Sequence, residues 1–386
     1  MRETTASGST ASEDTNKNLS TIPRLIAFYL PQYHPIPEND EWWGKGFTEW
    51  TNVTKTVPRF PGHYQPHRPA DLGFYDLRLA EAREAQAELA QEYGIHGFCY
   101  YHYWFNGRRV LERPFNDVLA SGRPRLPFCL CWANENWTKR WDGLDQQVLL
   151  GQQYSPEDDL AHITSLFPAF EDDRYIRVNT KPLFLVYHTK HLPDAAKTAE
   201  VWRQAAYKAG IGELYLVRVE SQNTRINPEA IGFDAAVEFA PDWDKRGPAL
   251  YQRRPQRWLH KVGLMSKSYM VNHVTDYEVL VENMLKKPAP DYKRFLGAVP
   301  SWDNSARRAQ GAVILRNASP RKYEYWLRQV VAKTLNRFEG DERLIFINAW
   351  NEWAEGCHLE PDQMFGHQYL EATKRALMQT ETTLNL

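Results

Sequence analysis

The sequence predicts an α/β fold, a closed (β/α)8 TIM barrel with long loops after its strands. Three observations point there. Eight short apolar runs recur along the 386 residues, and several are separated by amphipathic helical patterns. No glycine-rich phosphate fingerprint follows the first run, which argues against a dinucleotide-binding sheet. Eight strand–helix repeats over roughly 360 residues suit a closed ring better than an open doubly wound sheet.

The runs, in order, are Leu25–Leu30, Ile95–Tyr101, Pro127–Trp132, Pro182–Tyr187, Leu214–Val219, Phe233–Phe239, Phe295–Pro300 and Leu344–Ala349. Each is short, rich in aliphatic or aromatic residues and suited to burial on both faces. A helix follows Asp76: Leu79, Ala82, Gln86, Leu89 and Tyr93 share a face, Asp76 is the expected N-cap, and Gly94 stops it. A second helix is expected over about Ala195 to Ala209, before Gly210, and a third over about Pro320 to Phe338, before Gly340. Residues 22–378 are read as one barrel, with a disordered tail at 1–21, rich in Ser, Thr and charge, and a short tail at 379–386.

Two connections are long. Pro31 to Tyr75 carries Trp42, Trp43, Phe47, Trp50, Phe60, Tyr64 and His67, and loops of that length are usually functional. Pro241 to Arg294 carries the basic run Lys245, Arg246, Arg253, Arg254, Arg257, His260 and Lys261. The plain reading is a solvated helical face. The sharper reading is a dock for a diphosphate or for an anionic membrane surface, a peripheral contact.

Composition narrows the function. The formal net charge is −1, so no overall field marks nucleic acid as a partner. With 14 Trp, 20 Tyr and 17 Phe, many of them in loops, the chain is suited to stacking on sugar faces. Cys99, Cys129, Cys131 and Cys357 are too sparse and ill-spaced for a disulfide scaffold or a zinc site. No HExxH, HxH or DxDxDG pattern occurs and no G-x-S-x-G elbow, so neither a metal, another cofactor nor a serine nucleophile is expected. No run of 18 apolar residues is present and no signal segment is recognised, so a cytoplasmic location is expected. Oligomeric state is not readable.

The chemistry gathers at strand ends. After the last run the chain reads Asn348-Ala349-Trp350-Asn351-Glu352-Trp353-Ala354-Glu355-Gly356. In a turn, the three-residue spacing of Glu352 and Glu355 brings both acids to one side. Neighbouring carboxylates repel, so one holds a proton near neutrality while the other stays basic, as glycosyl chemistry requires. Other strand ends add Tyr101 and His102, then Trp132, Asn134 and Glu135, then Glu238 and Asp242, then Trp302, Asp303 and Asn304. Lone loop histidines such as His34 and His63 read as hydrogen-bond partners. The reading requires both acids to face one cavity. Either acid turned to solvent, or locked by an arginine at the opposite rim, would overturn it.

Trp42-Trp43-Gly44-Lys45-Gly46-Phe47-Thr48-Glu49-Trp50-Thr51-Asn52-Val53, Gly62-His63-Tyr64-Gln65-Pro66, Leu72-Gly73-Phe74-Tyr75-Asp76 and Trp350-Asn351-Glu352-Trp353-Ala354-Glu355-Gly356 resemble the WbsX-like proteins, over about Arg24 to Leu370. These are similar in turn to glycoside hydrolase family 99, the endo-α-mannosidases, mainly through the Glu-x-x-Glu ending. The resemblance implies a (β/α)8 barrel acting on glycosides with retention and without a metal. It further implies that Glu352 deprotonates the sugar 2-hydroxyl, giving a 1,2-anhydro sugar, and that Glu355 is the general acid/base.

The expected function is cleavage or transfer of glycosidic bonds in a surface polysaccharide or O-antigen-type glycan. Glu352 and Glu355 are the expected catalytic pair, and Glu49, Trp50, Tyr101, His102, Trp132, Asn134, Glu135, Trp302, Asn348 and Trp350 the expected saccharide contacts. The alternatives are a glycosyltransferase of lipopolysaccharide or O-antigen biosynthesis using a nucleotide or lipid-diphosphate donor, and a non-catalytic saccharide-binding barrel.

Overall fold

The structure is a computed structural model that describes residues 22–139, 144–221, 225–252, 254–265 and 268–384. Of the two expected tails, 1–21 and 385–386 lie outside the described residues, and 379–384 are described only as the backbone of the helix Gln368–Leu384. Eight parallel strands form the ring: β1 (Arg24–Tyr29), β2 (Gly97–Phe105), β3 (Phe128–Trp132), β4 (Lys181–Val186), β5 (Tyr215–Glu220), β6 (Ala235–Glu238), β7 (Arg294–Ala298) and β8 (Leu344–Ile347). Each pairs with the next, and β1 closes the ring on β8 through Arg24↔Leu344 to Ala27↔Ile347. The fold is a (β/α)8 TIM barrel, and each expected apolar run overlaps a barrel strand.

The strands are buried on both faces because helices cover the outside and aromatic side chains fill the inside. Phe28 stacks on Tyr101 with ring centroids 5.5 Å apart, and Phe239 meets Tyr187 edge-on at 5.3 Å, making a layer near the upper mouth. Gly297 is required where β6 and β7 approach: a Cβ there would sit 2.4 Å from the Glu238 carbonyl oxygen. Cys129 and Cys131 are fully buried on β3, as their shared face implies.

The expected helices are present with small differences. Ala195–Lys208 starts at Asp194, whose Oδ1 accepts from the Lys197 N–H, and Pro320–Arg337 starts at Ser319 with Pro at its first position. Ala80–Glu92 ends before Gly94 as expected, but Asp76 does not cap it. Leu79 is the N-cap, because the Asp76 carboxylate is turned onto Arg78, accepting from its backbone N–H and its guanidinium. Among the described residues no helix is long and apolar enough to cross a membrane.

Candidate active site

The segment after β8 is held in place from both sides. Asn351 imitates one more residue of strand pairing: its Oδ1 accepts from Leu30 N–H at 2.7 Å and its Nδ2 donates to Leu30 O at 3.0 Å. Asn351-Glu352 then pairs antiparallel with Cys357-His358 across a 3-10 turn, Trp353–Glu355. Gly356 ends the turn with φ 59°, and a Cβ there would meet the Asp303 backbone nitrogen at 2.9 Å. That closeness lets the Asp303 N–H donate to the Glu355 carbonyl at 2.7 Å. Trp353 lies flat on His358 at 3.7 Å and donates from Nε1 to Glu360. The turn brings Glu352 and Glu355 to one side, and both line a cavity of ≈ 580 Å³ at the mouth formed by the C-terminal strand ends.

An arginine that the sequence reading did not single out reaches both acids. Arg307 Nη2 donates to Glu352 Oε2 at 2.7 Å, Nη1 meets Glu355 Oε1 at 2.7 Å, and Nε donates to Glu49 Oε1 at 2.8 Å. It comes from the loop after β7, the strand paired with β8, so it stands beside the acids and not at the opposite rim. The loop that carries it is fixed. Asp303 Oδ1 accepts from Ser305 N–H, and the Arg59 guanidinium donates to the carbonyls of Ser305, Arg308 and Ala309.

Three carboxylates around one guanidinium leave surplus negative charge in a buried place. Burial pushes the Glu352 carboxyl up to about 8, with Glu355 and Glu49 adding to the rise against the pull of Arg307. Burial also raises Glu355, which is opposed by Arg307 and aided by Glu49. The two acids titrate together, so a proton belongs to the pair near neutrality.

Of the other expected contacts, Tyr101, Glu135 and Trp302 line the cavity, joined by Trp42, Trp43, Tyr103, Trp137 and Trp243. Trp302 is buried, and its Nε1–H has no hydrogen-bond partner among the described residues. Glu135 Oε1 is held by His188 Nε2 at 2.9 Å. The remainder sit behind the wall. Glu49 is fully buried under Arg307. Trp50 packs against Tyr33 and Trp353 and donates to Tyr75 O. His102 turns outward to share a hydrogen bond with His162, because side chains alternate along β2 and Tyr101 takes the inward place. Trp132 is fully buried against His162 and Trp202. Asn134 brackets the backbone of His188, Asn348 donates to Ala240 O, and Trp350 is fully buried against Phe98.

Glu238 and Asp242 also leave the site, both paired with buried Lys287 at 2.9 and 2.7 Å. His63 is a hydrogen-bond partner as expected, joined to Asp303 at 2.5 Å. The basic run divides. Arg246 lines the cavity, while Arg257 and Lys261 are exposed on the short helix Arg254–Lys261 beside Trp258; Arg253 lies outside the described residues. Among the described residues, one group of side chains has ligand atoms close enough for a metal ion: His67, His358 and Asp362, within 4.8 Å of one another and buried. His67 Nδ1 and His358 Nε2 already share a 2.9 Å hydrogen bond, and His358 Nδ1 is bonded to Glu360 O, so this group is satisfied as it stands.

The sequence pattern of the family described as "Glycosyltransferase WbsX" matches residues 25–373. The chain is 47% identical over 358 residues to "Uncharacterized protein WxcX" in two strains of Xanthomonas campestris pv. campestris, covering 92% of this chain. It spans half the length of those relatives. Among solved structures, a "Glycoside hydrolase-like protein" superposes with TM-score 0.55 and 13% identity over 92% of this chain and 94% of that one. The GH99 endo-alpha-mannosidase of Bacteroides thetaiotaomicron superposes with TM-score 0.54 and 13% identity over 94% and 99%. At such identities the likeness is one of fold.

Proposed function

Because the chain belongs to the WbsX glycosyltransferase family, we propose that it is a carbohydrate-active enzyme that cleaves or transfers glycosidic bonds of a surface polysaccharide or O-antigen-type glycan, with retention. The observation that carries this reading is the pair Glu352 and Glu355 facing one aromatic-walled cavity, joined by the Arg307 guanidinium. Tyr101, Trp42, Trp43 and Trp302 offer stacking faces, and a sugar ring against them lies over the two acids.

Glu352 takes the proton of the 2-hydroxyl as that oxygen attacks the anomeric carbon. The bond to the departing oxygen breaks, and Glu355 gives that oxygen its proton. Water or an acceptor hydroxyl then opens the 1,2-anhydro sugar, losing a proton to Glu355, while Glu352 returns its proton to the sugar 2-oxygen. The forward step needs the shared proton on Glu355. The deeper burial of Glu352 favours the other placement without substrate, so a hydrogen bond from the 2-hydroxyl is what holds Glu352 ionised.

The test is Glu355→Gln on glycosides with good and poor leaving groups. Loss should be greatest with poor leaving groups, roughly 100-fold or more, because they need the proton in addition to the later help of a base. Equal loss on both would remove Glu355 from the acid role.

A further inference from the structure

The two walls of the cleft differ in charge. The segments after β1 and β3 contribute Trp42, Trp43 and Trp137, and the end of β2 contributes Tyr103. Strands β6 and β7 lie across the ring from β2 and β3, and the segments beyond them contribute Arg246, Arg308 and His273. Three acids near these residues in sequence are engaged elsewhere. Asp242 is paired with Lys287 at 2.7 Å, Asp303 with His63 at 2.5 Å, and Asp276 Oδ2 accepts from Asn317 at 2.7 Å. No carboxylate partner of Arg246 or Arg308 is found among the described residues. Arg307, one residue away, differs, because three carboxylates already neutralise it. Adjacent arginines thus divide the work, one facing the acids and one facing open cleft.

We propose that the Arg246–Arg308–His273 wall is a subsite for a phosphoryl or diphosphoryl group carried by the saccharide ligand. This rests on reading the cleft as a saccharide site. Two guanidinium forks and an imidazole from three separate segments suit a group with several oxygens pointing different ways. A lone uronate carboxylate is satisfied by one fork. Arg59 holds the carbonyl of Arg308, so the position of that residue is set before any anion arrives. The group would lie across the cleft from the aromatic wall, leaving the ring between them over Glu352 and Glu355.

The experiment is titration calorimetry of the full chain with inorganic pyrophosphate, a nucleoside diphosphate, a phosphorylated oligosaccharide and glucuronate. Pyrophosphate should bind, and Arg246→Ala and Arg308→Ala should each weaken it about tenfold. Both side chains are partly or fully exposed, so the variants should keep the parent's melting curve. Preference for the nucleoside diphosphate identifies a glycosyl diphosphate as the source, and preference for the phosphorylated oligosaccharide a phosphate-bearing glycan. Absent pyrophosphate binding, binding unchanged in both variants, or glucuronate bound with the same losses overturns the subsite. The subsite is read by pyrophosphate binding to the parent and the two arginine variants, and the acid–base reading by the leaving-group dependence of Glu355→Gln, so the two failures are separately visible.

Discussion

Arg307 donates from Nη2 to Glu352 Oε2 across 2.7 Å while serving two further carboxylates. Replacing Arg307 with Met removes the charge that opposes the rise of the Glu352 and Glu355 carboxyls, so both should rise further. The acidic limb of kcat/KM against pH should move up by about one unit or more. Thermal unfolding at pH 8 should also lose about 3 kcal/mol, because buried carboxylates are left without their partner. An unmoved acidic limb would deny Arg307 control of the pair.

Glu352→Gln isolates the carboxyl raised most clearly. Its folded value of about 8 lies above the ordinary 4.5, so the folded protein binds more protons than the unfolded one between those limits. Stability from this group is therefore complete below pH 4.5 and declines as pH rises through about 8. The difference in Tm, variant minus parent, should grow from pH 5 to pH 9. A flat difference would mean that Glu352 is ionised throughout.

The 2-hydroxyl is the atom that the proposed chemistry spends. A 2-deoxy analogue of a turned-over substrate should still bind, yet react at least roughly 1,000-fold more slowly, since no internal nucleophile is present. Comparable rates on both would place the nucleophile on the protein or in water.

Trp42 lies in the cleft wall at 5.8 Å from Trp137, edge to face. Trp42→Ala should raise KM about tenfold while leaving kcat nearly unchanged, as expected for stacking equal in ground and transition states. A fall in kcat alone would assign Trp42 to positioning of the reacting centre.

Asp303 is buried, yet its carboxyl sits below the ordinary carboxylate value. Burial pushes it up, and His63, Ser305 and Gln65 outweigh that push. Asp303→Asn should cost roughly 2 kcal/mol at pH 7, from bonds to an ionised acceptor. The folded value is depressed, so this stability is present above about pH 4 and fades as pH falls through the folded value. A cost that persists at pH 2 would point to packing instead.

The barrel was legible because strands buried on both faces cannot avoid continuous apolar runs, and each of the eight runs overlaps one. Glu352, Glu355, Tyr101, Glu135 and Trp302 were legible as strand-end residues that reach the cleft. His102 and Trp132 were not separable from them, because one step along a strand reverses the face and the register is set by the ring. Trp50 and Trp350 show that an aromatic beside the acid-bearing turn can be its support. Arg307 left no local signal: an arginine doublet in a polar loop looks like any solvated turn until β7 and β8 lie side by side. The missed cap at Asp76 has a local cause, since Arg78 two residues on competes for its carboxylate.

The pairing of β1 with β8 also bears on how the protein is made. A ribosome delivers β1 first and β8 last, so the earliest strand waits, one edge unsealed, until more than three hundred residues have followed. Glu352 and Glu355 emerge with the very segment that completes the ring, and Asn351 latches them onto Leu30. A chain stopped before β8 therefore carries Trp42, Trp43 and Glu49 but no acid pair, and activity should appear only once the segment beyond β8 has been made.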